Sequence, residues 1–382
     1  KHTVLIKQKV AGTILRAQIS NSILAVLFFY FIPFFGIAPK TNLFLSLITS
    51  FGCVMLWRLV LFPSFDGKIK EKALLIGTGT EMRELEAEVN NNSRYGMHFI
   101  STIDVGKEQN VLDGVSGEQK LFGDEVSVVV ADFRNGNIEP TLPTLYNLIF
   151  SDIRFIDMYA LYEDIFDRIP LSLVRYNWFL EHVSGTAERG YDFLKRVMDI
   201  VISFILGIIS LVFYPFVYIA IKLEDGGPIF FSQERIGKNN ELITVKKFRS
   251  LAVHNSPDGI AKNPEPTKVG VFLRKSRIDE LPQLWSVLTG DLSLIGPRPE
   301  IPALVQVYEK EIPYYNVRHL IKPGLSGWAQ LYQYVPPKFS PGLDETRIKL
   351  SYDLYYIKNR SLGLDLKVAL RTIKTLLSRE GI

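Results

Sequence analysis

The 382-residue sequence is poor in the residues that build disulfide frameworks and zinc sites. It has one cysteine, Cys53, and five scattered histidines. A single cysteine excludes an internal disulfide, and neither CxxC nor HExxH occurs, which excludes the common zinc motifs. The formal net charge is only +4, so the basic excess that typifies nucleic-acid binding is missing, and nucleic acid is not predicted as a partner.

Long apolar runs, in contrast, are abundant, and the hydrophobic fraction is 47%. Residues 19–37 and 43–62 are each long enough to cross a bilayer as a helix. Lysines and arginines flank the outer ends of this pair, which places both ends on the cytoplasmic side. Residues 1–66 are therefore predicted to be transmembrane helices. The first residue is Lys1, so we expect the start to be incomplete.

A third apolar run, residues 200–221, has basic residues at both ends. A re-entrant helix, which returns to the face it entered from, satisfies both flanks, and Pro215 offers the break. A kinked spanning helix is the alternative. We favour the re-entrant helix, assigned to residues 191–223.

The segment 72–80, KALLIGTGT, predicts a buried strand and a glycine-rich turn that open a Rossmann-like βα unit. The third small residue of the dinucleotide fingerprint is replaced by Met82, which favours a structural domain over a nucleotide site. Further strands are predicted at 126–131 and 155–161. The domain is assigned to residues 67–162, followed by a linker at 163–190.

The segment 273–300 places two adjacent carboxylates, Asp279 and Glu280, among cations. One interpretation is a surface helix that begins with a capping box, Ser276-x-x-Asp279, and ends at Gly290. The other is a phosphate site, because guanidinium groups match phosphate oxygens and a carboxylate can attack phosphorus. The cations are Arg274, Lys275, Arg277 and Arg298.

From about Tyr191 onward the sequence resembles the bacterial sugar transferases, the monotopic polyprenyl-phosphate phosphoglycosyl transferases. The ordered matches include Gly227-Pro228, Lys247-Phe-Arg249-Ser250, Asp279-Glu280-Leu-Pro-Gln-Leu, Gly-Pro-Arg298-Pro and Lys322-Pro-Gly-Leu-Ser-Gly-Trp-Ala-Gln330. The resemblance implies transfer of a sugar-1-phosphate from a UDP-sugar to undecaprenyl phosphate, with release of UMP, to initiate exopolysaccharide, capsule or O-antigen assembly.

The resemblance also implies roles for individual residues. Asp279 would be the nucleophile, and Glu280 would support it, with the pair holding Mg²⁺. Arg274 and Arg298 would bind phosphate, and Lys247 and Arg249 are candidates for the nucleotide diphosphate, with a solvated strand end as their alternative. Trp328 is interpreted as a membrane-interface anchor.

The predicted fold class is thus a membrane protein of the α+β type. Transmembrane helices, a Rossmann-like domain and a re-entrant helix precede a small α/β catalytic domain at 224–382. We expect it in the bacterial inner membrane with the catalytic domain cytoplasmic, and a homodimer is left open. A metal-dependent glycosyl transferase that releases UDP and a non-catalytic membrane scaffold are the alternatives.

Overall fold

The computed structural model describes residues 17–18, 20–22, 24–25, 40–57, 70–92, 94–106, 126–151, 153–183, 189–252, 266–332 and 342–378. They divide into two compact units, residues 1–166 and residues 167–382. Most of the predicted segment 19–37, and residues 58–62 of the second, lie outside the described residues. Helix α1, Lys40–Leu56, covers the rest of the second segment.

The first unit contains a four-stranded parallel sheet. The elements are β1 (Glu71–Gly77), α2 (Gly79–Asn91), β2 (Met97–Asp104), β3 (Val128–Ala131), α3 (Leu142–Asn147), β4 (Arg154–Asp157) and α4 (Met158–Phe166). The strand order is β2-β1-β3-β4, with every neighbouring pair parallel. The predicted βα unit is confirmed, because a turn with Gly79 at φ +90° joins β1 to α2.

The sequence prediction missed β2 and extended the last strand too far. The strand predicted at 155–161 ends at Asp157, and Met158 starts helix α4. The side chain of Asp157 accepts a hydrogen bond from the backbone N–H of Tyr159 at 3.3 Å, as a helix-start residue does. A short apolar run fits a buried strand and a buried helix equally, so periodicity could not find this boundary.

The second unit begins inside the segment that was predicted to be a linker. Its first helix, α5 (Tyr176–His182), buries Trp178. Two helices follow, α6 (Arg189–Ser210) and α7 (Phe213–Glu224), and then an antiparallel hairpin of β5 (Phe230–Ile236) and β6 (Leu242–Phe248).

The remaining elements of this unit include a short parallel pair of strands. They are α8 (Lys268–Ser276), α9 (Gln283–Thr289), β7 (Ser293–Ile295), α10 (Pro302–Glu311), β8 (Gly324–Ser326), α11 (Trp328–Tyr332), α12 (Leu343–Lys358) and α13 (Leu362–Ser378). Strands β7 and β8 pair in parallel.

Helices α6 and α7 form a bent pair. Within the described part of the chain, no single helix is long and apolar enough to cross a bilayer, and this pair meets that test only jointly, with a 52° bend. The break lies at residues 211–212, and Pro215 stands in the first turn of α7. The predicted break at Pro215 therefore lies one turn too late. A proline ring clashes with the carbonyl four residues earlier, here that of Leu211, which places the kink upstream of the proline.

Two further predictions about this unit need correction. Trp328 is buried, and its Nε1–H donates to the Asp167 carbonyl at 2.9 Å, so it belongs to the core and does not anchor an interface. Ser276 is the last residue of α8, and its hydroxyl donates to the Phe272 carbonyl at 2.8 Å, so the predicted capping box does not form.

Candidate active site

The acid pair lies in a tight turn between α8 and α9. Arg277 adopts the left-handed conformation, with φ +58°, and this ends α8. Residues Ile278–Glu280 then form one 3₁₀ turn. The turn separates the two carboxylates: Asp279 is 6% exposed, whereas the side chain of Glu280 is 24% exposed.

Asp279 carries an unsatisfied buried carboxylate. Among the described residues, none forms a hydrogen bond with its Oδ1 atom. Burial and the neighbouring charge of Glu280 raise the pKa of Asp279 to about 6, although Lys247, Arg277 and Arg274 act in the opposite direction. The site therefore keeps this carboxylate more basic than an ordinary aspartate and leaves one of its oxygens available.

Lys247 is brought to Asp279 by the β5–β6 hairpin. It stands opposite Phe231 in the register, and its Nζ lies 5.5 Å from the centre of that ring. Burial lowers the pKa of Lys247, and the charge of Asp279 partly offsets this. A partly desolvated ammonium beside an unpaired carboxylate is suited to a phosphate group that contacts both.

Arg274 also contributes to the electrostatic environment of Asp279. Its Nε–H donates to the hydroxyl of Ser250 at 2.8 Å, which ties the last turn of α8 to the end of β6. Its charge is among those that lower the pKa of Asp279. The rest of the side chain is exposed.

Glu280 faces outward and meets two arginines. Its Oε1 lies 3.4 Å from Arg298 and 3.8 Å from Arg277. The backbone carbonyl of Arg298 accepts a hydrogen bond from Arg318 at 3.0 Å, which holds this part of the chain in place. Arg318 is buried and pairs with Asp353 at 2.7 Å. This buried pair fixes the loop that carries Arg298.

Arg249 does not join this group. Its guanidinium is buried and forms a bidentate ion pair with Asp225, and its Nε–H donates to the Pro228 carbonyl at 2.7 Å. A Cβ at Gly227 would lie 2.8 Å from the guanidinium carbon, which explains the glycine there. In this structure the guanidinium closes the turn before β5, and the predicted nucleotide contact of Arg249 stays a prediction.

Comparison with known proteins bears on the same region. The sequence profile described as "Bacterial sugar transferase" matches residues 190–379. The exopolysaccharide production protein PSS of Rhizobium leguminosarum bv. phaseoli is 36% identical over 194 residues, which cover 49% of this chain and 96% of that protein. The chain belongs to the bacterial sugar transferase family.

Two further relatives of the family are longer than this chain. The UDP-N-acetylgalactosamine-undecaprenyl-phosphate N-acetylgalactosaminephosphotransferase of Aeromonas hydrophila is 44% identical over 198 residues, covering 50% of this chain and 45% of that protein. The undecaprenyl-phosphate glucose phosphotransferase of Komagataeibacter xylinus is 29% identical over 336 residues, covering 82% of this chain and 60% of that protein. The aligned part of this chain thus spans about half the length of these relatives. Their names identify this as a family of phosphotransferase enzymes.

The buried support of the site had no signal in the sequence of this family member. Arg318 is an isolated arginine twenty residues beyond Arg298. Lys349 and Glu300 pair with each other beside it. None of these three residues stands in a recognisable sequence pattern. No role was predicted for Asp353. The structure gives it one, as the buried counter-ion of Arg318.

A magnesium ion would rely on few protein ligands in this site. Within the described ranges, no group of three or more His, Cys, Asp or Glu side chains could hold a metal. The free Oδ1 of Asp279 is an available ligand, and Glu280, the next residue in the chain, supplies a second carboxylate on the outer side of the turn. Mg²⁺ in phosphate chemistry is commonly bound by one or two carboxylates together with substrate phosphates and water. The residues present therefore fit a Mg²⁺ ion that binds together with substrate.

Proposed function

We propose that this protein transfers a sugar-1-phosphate from a UDP-sugar to undecaprenyl phosphate and releases UMP. The observation that carries the proposal is Asp279, a buried carboxylate with a raised pKa and an unpartnered oxygen, surrounded by cations. The names of the relatives from Aeromonas and Komagataeibacter describe phosphate transfer to or from the same lipid carrier.

In the proposed reaction, a carboxylate oxygen of Asp279 attacks the phosphorus that carries the sugar. The P–O bond to UMP breaks, UMP leaves with its electron pair, and a phosphosugar-aspartate remains. A phosphate oxygen of undecaprenyl phosphate then attacks the same phosphorus. The bond to Asp279 breaks, which frees the carboxylate and yields undecaprenyl-diphosphate-sugar. Two displacements at one phosphorus replace one harder direct transfer.

The surrounding side chains have separate roles in this proposal. Lys247 neutralises the phosphate oxygens next to Asp279, where partial burial strengthens the attraction between opposite charges. Arg274 and Arg298 lie on the exposed side and bind the diphosphate and the lipid phosphate. Glu280 keeps Asp279 basic and orients Arg298 through their ion pair. When bound, Mg²⁺ would be held by Asp279 and Glu280 and would neutralise charge on the transferring phosphate.

A membrane-seated α6–α7 pair would bring the lipid substrate to the site. Both halves of the pair are anchored on the same unit: Arg196 of α6 donates to two carbonyls of α9, and Ile221 of α7 packs in a cluster with Phe248 and Leu273. The outer faces of the two helices are apolar and exposed. This arrangement supports a re-entrant helix over a spanning one and agrees with the proposed location on the cytoplasmic face of the inner membrane.

The test is nucleotide release by the purified protein in nanodiscs, supplied with Mg²⁺, undecaprenyl phosphate and a panel of UDP-sugars. We expect UMP from one sugar, and none from Asp279→Asn. Glu309→Gln removes an exposed carboxylate on α10 and should behave as the unaltered protein. Release of UDP would contradict the mechanism and favour the glycosyl transferase alternative. An Asp279→Asn variant with full UMP release would show that another group is the nucleophile.

A further inference from the structure

A second site of a different kind lies in the same unit, at the base of α6. A cavity of about 620 Å³ is enclosed by α5, the first turns of α6, the residues before β8 and the end of α12. Asp279, Glu280 and the cations that surround them do not line it, in the part of the chain that the structure describes. We call it the basic cavity, after its lining residues Arg196, Lys238 and Lys322.

The cations that line the cavity outnumber its acids: the cations are Lys195, Arg196, Lys238, Lys322 and Arg360, and the acids are Asp192 and Asp199. A Cβ at Gly290 would lie 3.2 Å from Lys322 Nζ and 3.3 Å from an Nη atom of Arg196, so the two charges flank a single point. Burial, followed by the charges of Arg196 and Lys238, lowers the pKa of Lys322, and the charges of Asp199 and Asp291 partly offset this. Among the described side chains, neither Lys238 nor Lys322 forms an ion pair, and Arg196 donates to the carbonyls of Val287 and Leu288.

The acidic residues of the wall are already engaged. Asp192 pairs with Arg360 at 3.1 Å. Asp199 is buried and accepts hydrogen bonds from the hydroxyl of Ser293 at 2.7 Å and from the backbone N–H of Leu294 at 3.2 Å. Neutral donors leave Asp199 charged, but the five cations of the wall outnumber its two acids, so the half-buried cavity has a net positive charge. A bound anion would reduce the repulsion between like charges that are held close together.

The other part of the wall is apolar and opens toward α6. Phe179, Leu180 and Leu320 line the cavity, and Leu180 is 71% exposed. The neighbouring turns of α6 present further exposed apolar residues, including Phe193 at 69% exposure. A ligand with an anionic group such as phosphate at one end and hydrocarbon at the other would contact both parts of the wall.

We propose that the basic cavity binds the phosphate group of an anionic phospholipid, whose acyl chains lie along α6. The site is separate from the transfer chemistry and rests only on the proposed seating of α6 in a membrane. Free phosphate offers the same charge without the hydrocarbon, so the two sources can be distinguished by experiment.

The test uses the full chain in non-ionic detergent, without any UDP-sugar, and measures binding of dihexanoyl-phosphatidylglycerol by calorimetry. We expect saturable binding with one molecule per chain, and weaker binding by about tenfold or more in the double variant Lys238→Gln with Lys322→Gln, because each lost charged hydrogen bond has an effect of that order. Lys268→Gln with Lys310→Gln, which removes two exposed lysines elsewhere, should bind like the unaltered protein. Dihexanoyl-phosphatidylcholine should bind far more weakly.

Several outcomes would overturn the proposal. Equal losses in both double variants would mean that net charge alone attracts the lipid. Displacement of the lipid by inorganic phosphate at equal concentration would make this a free-phosphate site, and absence of saturable binding would leave no site. If the double variant fails to fold, Lys322→Arg takes its place. This variant keeps the charge and should bind the lipid as tightly as the unaltered protein. Asp279→Asn should bind the lipid unchanged, so failure here is separable from failure of the proposed transfer reaction.

Discussion

Replacement of Asp279 by Asn should make the protein more stable while it abolishes transfer. Burial, with the charge of Glu280, raises the pKa of this carboxyl from 3.8 to about 6, so ionising it costs more in the folded protein than in the unfolded chain. This difference corresponds to about 3 kcal/mol of lost stability at pH 7. An asparagine amide in the same unpartnered position costs roughly 1 kcal/mol. The expected net gain is about 2 kcal/mol.

The gain should depend on pH in a direction that the raised pKa fixes. Below pH 3.8 the carboxyl is neutral in both states, and the charge imposes no penalty. The penalty grows as pH rises and is complete once pH exceeds about 6, the folded pKa. The stabilisation by Asp279→Asn should therefore appear between pH 4 and pH 6 and remain constant above.

Thermal unfolding followed by tryptophan fluorescence measures this difference. For a unit of this size, about 2 kcal/mol corresponds to a rise in Tm of roughly 4–8 °C. Glu309→Gln controls for the loss of an exposed carboxylate and should leave Tm unchanged at each pH. A Tm for Asp279→Asn that is unchanged or lower at pH 7, or a gain that persists undiminished at pH 4, would refute the reasoning about this buried charge.

Three further predictions concern the cations. Lys247→Met removes a cation from beside the proposed nucleophile, so the acidic limb of UMP release against pH should move upward by about one pH unit; an unmoved limb would contradict the contact. Arg249→Gln leaves Asp225 without its ion-pair partner and should lower stability by about 2 kcal/mol in urea unfolding, with the pH profile unchanged; a selective rise in KM for the UDP-sugar would instead restore the nucleotide-binding role. Asp353→Asn removes the nearer of the two carboxylates that pair with the buried Arg318, and should cost about 3 kcal/mol; stability equal to the unaltered protein would show that the Arg318–Asp353 pair is dispensable.

The sequence predicted the elements whose causes are local. The strand that opens the Rossmann-like unit forms at Glu71–Gly77, one residue from the predicted start, and Gly290, with φ +99°, stops α9 as expected. Arg274 and Arg277 act on the acid pair as the sequence suggested, because these residues are close together in the chain. The left-handed Arg277 was not predicted, since nothing local favours that conformation at an arginine. It decides that Asp279 turns inward from a 3₁₀ turn, where a single helix had been predicted.

Contacts between distant residues were beyond the reach of these patterns. Arg249 looked like part of a phosphate cradle because of its neighbours in the sequence, yet its partner, Asp225, comes 24 positions earlier. Trp328 resembled an interface residue, and only the folded unit shows it buried against the Asp167 carbonyl. In both cases, a side chain with two plausible environments was assigned by tertiary packing.

The hydrogen bonds from Arg196 to the last carbonyls of α9 connect the proposed membrane helix α6 to the helix next to the acid pair. Helix α6 is clamped to the end of the short helix whose start follows Asp279 and Glu280 directly, and Trp285 of α9 donates to the Tyr214 hydroxyl near the bend. In the proposed membrane setting, a change in the tilt of α6 would be transmitted through these hydrogen bonds and would displace α9. The thickness of the surrounding bilayer would then set the position of the nucleophile, and transfer rates should vary with acyl chain length in nanodiscs of otherwise identical composition.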